Sequence, residues 1–345
     1  MKEAMFYEKV EESAVKCQLC PHRCKINESK SGICGVRENK GGILYSMVYG
    51  TVAARSTDPI EKKPLFHFYP GSTAYSIATV GCNFRCKNCQ NFDLSQMSKG
   101  KGKGKGKKKG RIVGEDISPQ EIVAAAKNYK CKSISYTYTE PTIFFEYAYD
   151  IAKLAYKEGI CNTFVSNGYI TEEAIRTFAP YLDAINIDLK SLSDEFYRKN
   201  CGGHLQPVLD TIKLYKSLGV WVEVTTLVIP TLNDSAEDFK ELAEFIKSVG
   251  AEIPWHISQF YPTYKLTHLP LTPVTKIHEA REIGLDAGLR YVYEGNVPGE
   301  GREDTYCYNC GKLLIRRYGF KSIENKMNLS GSKCPDCGVT IDGVF

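Results

Sequence analysis

Six short apolar runs, at residues 73–82, 131–139, 160–168, 182–190, 220–230 and 253–262, alternate with stretches whose apolar residues recur at helical period. The helical stretches fall at 118–129, 142–159, 171–180, 205–219, 235–250 and 272–288. Ser118-Pro119 with Glu121, Thr171 with Glu172 and Glu173, and Ser235 with Asp238 read as helix starts, and Gly159, Gly219, Gly250 and Gly288 as stops. Strands apolar enough to be buried on both faces, each separated from the next by a helix, predict a parallel βα-repeat sheet, open or closed into a barrel. Folds of this class place their chemistry at the carboxyl ends of the strands.

Cysteine is the residue that breaks this pattern. Of fourteen, four lie at 17–34, three at 82–89 and four at 307–337, with singles at 131, 161 and 201. Clusters of three and four with Cys-x2-Cys spacing are not a disulfide framework, and in a chain of this size they point to metal in a reducing, cytoplasmic compartment. The triplet Cys82-x3-Cys86-x2-Cys89 stands just after the first predicted strand. A structural zinc site closes on four ligands, whereas a cubane iron–sulfur cluster held by three thiolates leaves one iron open.

That triplet, at that place in a βα-repeat domain, resembles the cluster loop of the radical S-adenosylmethionine (radical SAM) superfamily. The resemblance implies a partial (β/α)6 barrel at 73–298, with a Cys-rich lobe at 1–72 and a metal-binding tail at 299–345. It also implies that Cys82, Cys86 and Cys89 bind a [4Fe-4S] cluster whose open iron chelates S-adenosylmethionine (SAM). Reductive cleavage of SAM then yields a 5′-deoxyadenosyl radical that takes a hydrogen atom from the substrate.

The rest of the cofactor site follows from the same likeness. Phe84 or Phe92 supplies an apolar wall for the adenine, in place of the aromatic residue that often precedes the third Cys, where this chain has Asn88. Thr139 meets the SAM amino group through its backbone, with Glu140 bracing the loop. Ser166, Asn167, Asp188 and Lys190 bring polar groups to the same rim, Val228 walls the adenine, and His256 lies near SAM. The segments CQLCPHRCKINESKSGICGVREN, YTYTEPT, NIDLK and YVYEGNVPG extend the likeness to AmmeMemoRadiSam-system radical SAM proteins, relatives of pyruvate formate-lyase activating enzymes. A one-electron donor such as a flavodoxin or ferredoxin is then needed. The substrate, a protein or a small molecule, is not specified.

The two outer Cys groups read differently. Cys307-x2-Cys310 and Cys334-x2-Cys337, each followed by a glycine, have zinc-ribbon spacing, with an auxiliary iron–sulfur cluster as the alternative. Cys17, Cys20, Cys24 and Cys34 are less regular, and zinc, an auxiliary [4Fe-4S] cluster or merely buried thiols all fit them.

Charge and length exclude other classes. The net charge is +5, but Lys99–Arg111, an alternating Gly-Lys run, carries eight positive charges and the remainder is acidic. That run reads as a disordered insert, and an RNA-binding or RNA-modifying iron–sulfur/zinc protein is the weaker alternative. Neither a membrane-length apolar run nor a secretory signal is present.

Overall fold

The computed structural model describes residues 1–11, 13–99, 110–297, 299, 302–327 and 331–345; most of the Gly-Lys insert lies outside the described residues. One sheet of eight strands dominates: β1 (Ala54–Pro59), β2 (Thr73–Ala78), β3 (Ser133–Tyr136), β4 (Cys161–Ser166), β5 (Ala184–Asp188), β6 (Trp221–Val228), β7 (Trp255–Gln259) and β8 (Val292–Gly295). They stand side by side in chain order. β2 to β8 are parallel and β1 is antiparallel to β2. Unreversed order with helical crossovers is the winding of a β/α barrel. β1 and β8 are not paired with each other, so the sheet stays open.

All six apolar runs thus form parallel strands, and two more strands extend the sheet. β1 comes from residues 54–59, so the sheet begins before the boundary expected at 72.

The connecting helices are α1 (Pro119–Asn128), α2 (Phe145–Lys157), α3 (Glu172–Phe178), α4 (Gln206–Ser217), α5 (Ala236–Val249) and α6 (Val274–Asp286). Ser118 and Ser235 build reciprocal capping boxes with Glu121 and Asp238. Thr171 precedes α3 without capping it. Its hydroxyl is spent on the carbonyls of Gln18 (2.9 Å) and Leu19 (3.2 Å), which fastens the N-terminal lobe to the barrel.

The sheet is buried on both faces, with different chemistry on each. Its outer face packs on the helices: Trp255 of β7 lies so close to α6 that a Cβ on Gly284 would come within 3.0 Å of its ring. The inner face is polar, with Ser76, Ser135, Thr163, Asn186, Glu223 and His256 all buried. The segment 64–69 closes the end of the barrel where the strands begin. There Leu65 and Phe68 cluster with Ala74 and Ala184, and Trp221 packs against them.

The tail forms a three-stranded sheet (Thr305–Tyr306, Leu313–Tyr318, Lys321–Asn325) and docks on that same end. Arg317 donates to the Phe66 carbonyl (2.8 Å), with its guanidinium 4.4 Å from the Phe66 ring centroid, and Phe68 bridges to Val344. The N-terminal lobe holds two small antiparallel sheets and sits against α2, where Arg37 and Glu146 form a fully buried ion pair (2.8 Å).

Candidate functional site

The first parallel strand ends on a turn that only glycine fits. Gly81 has φ +108°, and a Cβ there would lie 2.8 Å from Val36 Cγ1 and 3.2 Å from the Cys34 carbonyl. The chain leaving this turn carries Cys82, Cys86 and Cys89 at the carboxyl end of the sheet.

Backbone and side-chain contacts fix that loop. Arg85 N–H donates to the Cys201 carbonyl (2.7 Å) and Lys87 N–H to the Asn200 carbonyl (3.0 Å). Phe84 N–H donates to Cys82 Sγ (3.3 Å), and Ser95 Oγ is 3.2 Å from Cys89 Sγ. Burial pushes the Cys82 and Cys89 thiols up; for Cys86 a hydrogen bond with the Cys201 thiol is the first cause and burial the second. A bound metal ionises such thiols, and three of them on one loop fit a cluster that keeps an open iron.

Neighbouring strand ends supply the surroundings. Asn167, just past β4, donates from Nδ2 to Asn83 Oδ1 (2.8 Å) and lies 3.7 Å from Cys82 Sγ. Glu140, just past β3, is buried and fully used: Oε1 accepts from Thr142 N (3.0 Å), Thr142 Oγ1 (2.7 Å) and Ser166 Oγ (2.8 Å), and Oε2 accepts from Asn167 N (2.8 Å). Burial raises the Glu140 carboxyl pKa, opposed by those four donors. Thr139 donates its hydroxyl to the Thr79 carbonyl (2.8 Å).

At the end of β5, Lys190 Nζ donates to Asp188 Oδ2 (2.7 Å). Burial alone would lower the Lys190 pKa, but Asp188 and the Cys86 and Cys201 sulfurs outweigh it and hold the ammonium well above its usual range. Asp188 remains about one-third exposed, at 38%. Thus Thr139, Glu140, Ser166, Asn167, Asp188 and Lys190 gather around the triplet.

Three expected residues do not. Phe84 is a buried anchor beneath the loop, 4.8 Å from the Tyr169 ring and 6.1 Å from Tyr197, and a Cβ on Gly203 would collide with it at 2.3 Å. No face of it is left for an adenine. Val228 shares the helix-facing side of β6 with Thr226, which accepts from Trp255 Nε1 (3.0 Å), and Val228 is wholly buried. The inward residue beside it is Leu227. His256 does face inward, but its Nε2 pairs with Glu223 Oε2 (2.6 Å) and its ring lies against Phe66 and Tyr293. Glu223 also accepts from Phe66 N (3.0 Å) and His67 N (2.8 Å), so this histidine belongs to the closed end of the barrel.

Asn88 holds the loop, its Oδ1 accepting from Asn200 Nδ2 (2.9 Å), and Cys201 is buried beside Cys86. The glycines after Cys201 were its one visible signal. Phe92, exposed, stacks on Tyr264 at 4.6 Å and offers an aromatic surface that Phe84 cannot.

The outer Cys groups end up at opposite poles. Cys307, Cys310, Cys334 and Cys337 bring all four sulfurs within 4.8 Å of one another, with 3.7 Å between Cys307 and Cys337 and between Cys310 and Cys334. Each pair sits on a turn closed by a bond from the following glycine, Gly311 N–H to the Cys307 carbonyl and Gly338 N–H to the Cys334 carbonyl (both 2.9 Å). Four thiolates so close fit one tetrahedral ion. Cys17, Cys20, Cys24 and Cys34 instead line a cavity beside the triplet loop.

Comparison with known proteins bears on the family and the fold. The model for the Radical SAM superfamily matches residues 76–246. An uncharacterized protein of Methanocaldococcus jannaschii is 46% identical over 346 residues, covering all of both chains. The pyruvate formate-lyase-activating enzyme of Clostridium pasteurianum is 27% identical over 175 residues, 49% of this chain and 67% of that one. A radical SAM methyltransferase from Sphaerobacter thermophilus shares the fold at a TM-score of 0.50, with 16% identity over 71% of each chain. Among the described residues no helix is long and apolar enough to cross a membrane.

Proposed function

Because this chain belongs to the radical SAM superfamily and so uses a [4Fe-4S] cluster and SAM, we propose that Cys82, Cys86 and Cys89 hold that cluster and that the surrounding rim binds SAM for hydrogen abstraction from a partner protein. One observation carries the reading: the triplet loop meets Asn167, beside Cys82, and the Asp188–Lys190 pair, beside Cys86, at the carboxyl ends of β2, β4 and β5. Cluster and SAM together supply one-electron cleavage of SAM to a hydrogen-abstracting radical.

The chain's own residues hold and orient. Glu140 has its oxygens engaged by Ser166 and Asn167, so it fixes the β4 turn that keeps the Asn167 amide against Cys82. Asp188 and Lys190 present opposite charges to the amino-acid end of SAM, and Phe92 with Tyr264 forms the aromatic surface for its adenine. The likeness to a pyruvate formate-lyase-activating enzyme supports a protein substrate, and we take a backbone glycine as the group attacked. The electron comes from a flavodoxin- or ferredoxin-type donor in the cytoplasm. The tail's four thiols we assign to a structural zinc ion.

Anaerobically reconstituted protein, given SAM and a one-electron reductant, should release 5′-deoxyadenosine, and Cys82→Ala should release none. Asn167→Ala should lower that rate on the order of 10- to 100-fold, as loss of a residue supporting a metal ligand does. Equal product from wild type and Cys82→Ala would end this reading.

A further inference from the structure

We propose that Cys17, Cys20, Cys24 and Cys34 bind a second [4Fe-4S] cluster, seated in the cavity they line and adjoining the triplet loop. All four belong to the wall of one cavity, together with Arg37 and Asn83. Cys17 and Cys34 are buried, and Cys20 and Cys24 are partly so.

Spacing selects the metal. A zinc ion with bonds of about 2.3 Å pulls four sulfurs into mutual contact, which is what the tail does. Among the described residues the Cys307 group is the one set of three or more ligand atoms that close within 4.8 Å, and no three of the N-terminal sulfurs do. Four thiols lining one cavity, no three of them drawn to a common point, match a cubane, whose irons each take one thiolate at separate corners.

A second observation concerns the wall of the same cavity. Arg37 is 2% exposed and lines the cavity, and its Nε has no hydrogen-bond partner among the described residues. Its other nitrogens are engaged, NH1 with Glu146 (2.8 Å) and NH2 with the Met5 carbonyl. An unanswered buried N–H is costly, and cluster sulfur is an acceptor for it.

The cavity shares a wall with the triplet. Asn83, next to Cys82, accepts at its carbonyl from the His22 ring (2.9 Å), and His22 lies between Cys20 and Cys24. Ser98 Oγ donates to the Cys34 carbonyl (2.9 Å), and Gly81 packs against that carbonyl and the Ser98 hydroxyl. Two clusters so placed are close enough for their unpaired spins to interact once each has accepted one electron from a chemical reductant.

The test uses the full chain with the triplet removed. After anaerobic reconstitution, Cys82→Ala/Cys86→Ala/Cys89→Ala should retain about four iron and about four sulfide per chain, and on reduction show the electron paramagnetic resonance signal of an isolated [4Fe-4S] cluster. The intact protein should hold about eight iron, with signals split by interaction between the clusters; Cys20→Ser/Cys24→Ser should fall to about four and lose the splitting. An iron-free triplet variant, or a second zinc per chain in the intact protein, would overturn the proposal. Because the triplet variant lacks the SAM cluster, this result is independent of whether SAM is cleaved.

Discussion

The two cysteine quartets of this chain use the same side chain for opposite ends. In the tail, two glycine-closed turns press four sulfurs to within 4.8 Å, on a small sheet docked where the barrel strands begin. In the N-terminal lobe, the four sulfurs stand apart around a cavity, at the end where the strands finish and beside the loop of Cys82. A strand of five residues separates these poles by roughly 16 Å. The lesson is that the spacing of four cysteines in a sequence counts ligands, while local backbone decides whether they close on a point or enclose a volume.

Four measurements would break or sharpen that contrast. The largest effect is expected in the tail: Cys334→Ser should remove its ion and with it much of the roughly 10 kcal/mol that structural zinc contributes to folding such a unit. The tail should then become protease-sensitive while the iron content stays constant; a parallel loss of iron would show that the poles are not independent. Next, Arg37→Gln breaks the buried pair with Glu146 and should cost about 3–5 kcal/mol, read as a lower unfolding midpoint.

Acid should discriminate the poles without mutation. Burial lowers His67 from 6.5 to about 4, at the tail–barrel contact where its ring meets the Asp342 carbonyl and Tyr293 hydroxyl. Its neutral form is the folded one. Stability from this group is therefore intact above pH 6.5 and drains away as pH falls toward 4, by about 3 kcal/mol in all. Hydrogen exchange should show the tail contact opening across that window, and His67→Gln should flatten the dependence. The smallest effect is Thr171→Val, which removes the hydroxyl tie to Gln18 and Leu19 and should cost about 1 kcal/mol, loosening the N-terminal lobe alone.

Much of the barrel was legible because apolar runs and helical periods are strong signals, and all six runs became strands. β1 was not, since Arg55, Ser56, Thr57 and Asp58 are polar; it pairs with β2 at the edge, where Ser56 stays exposed and Asp58 is buried. The barrel's polar inner face explains the misplaced residues. Alternation says that Val228 and Leu227 face opposite ways but not which way is inward. His256 was expected near SAM, and nothing local reveals Glu223, thirty-three positions earlier, as its partner. Phe84, an apolar residue inside a ligand loop, looks like a cofactor wall until Gly203 and Tyr169 claim it. The thiols of the triplet were the easiest to find, because their spacing is local.

One contact made far apart in sequence also sets a schedule. The barrel's closed end is finished by a segment 275 positions downstream, where the Asp342 carbonyl meets His67 and the backbone of Val344 bonds to that of His67 and Tyr69. On the ribosome, residues 64–69 emerge early and must wait through the making of every remaining barrel strand before their covering arrives. An ion taken up by the four tail thiols, as proposed above, would enter a piece that completes an older structure, and metal supply late in synthesis would then govern when the nascent chain shuts.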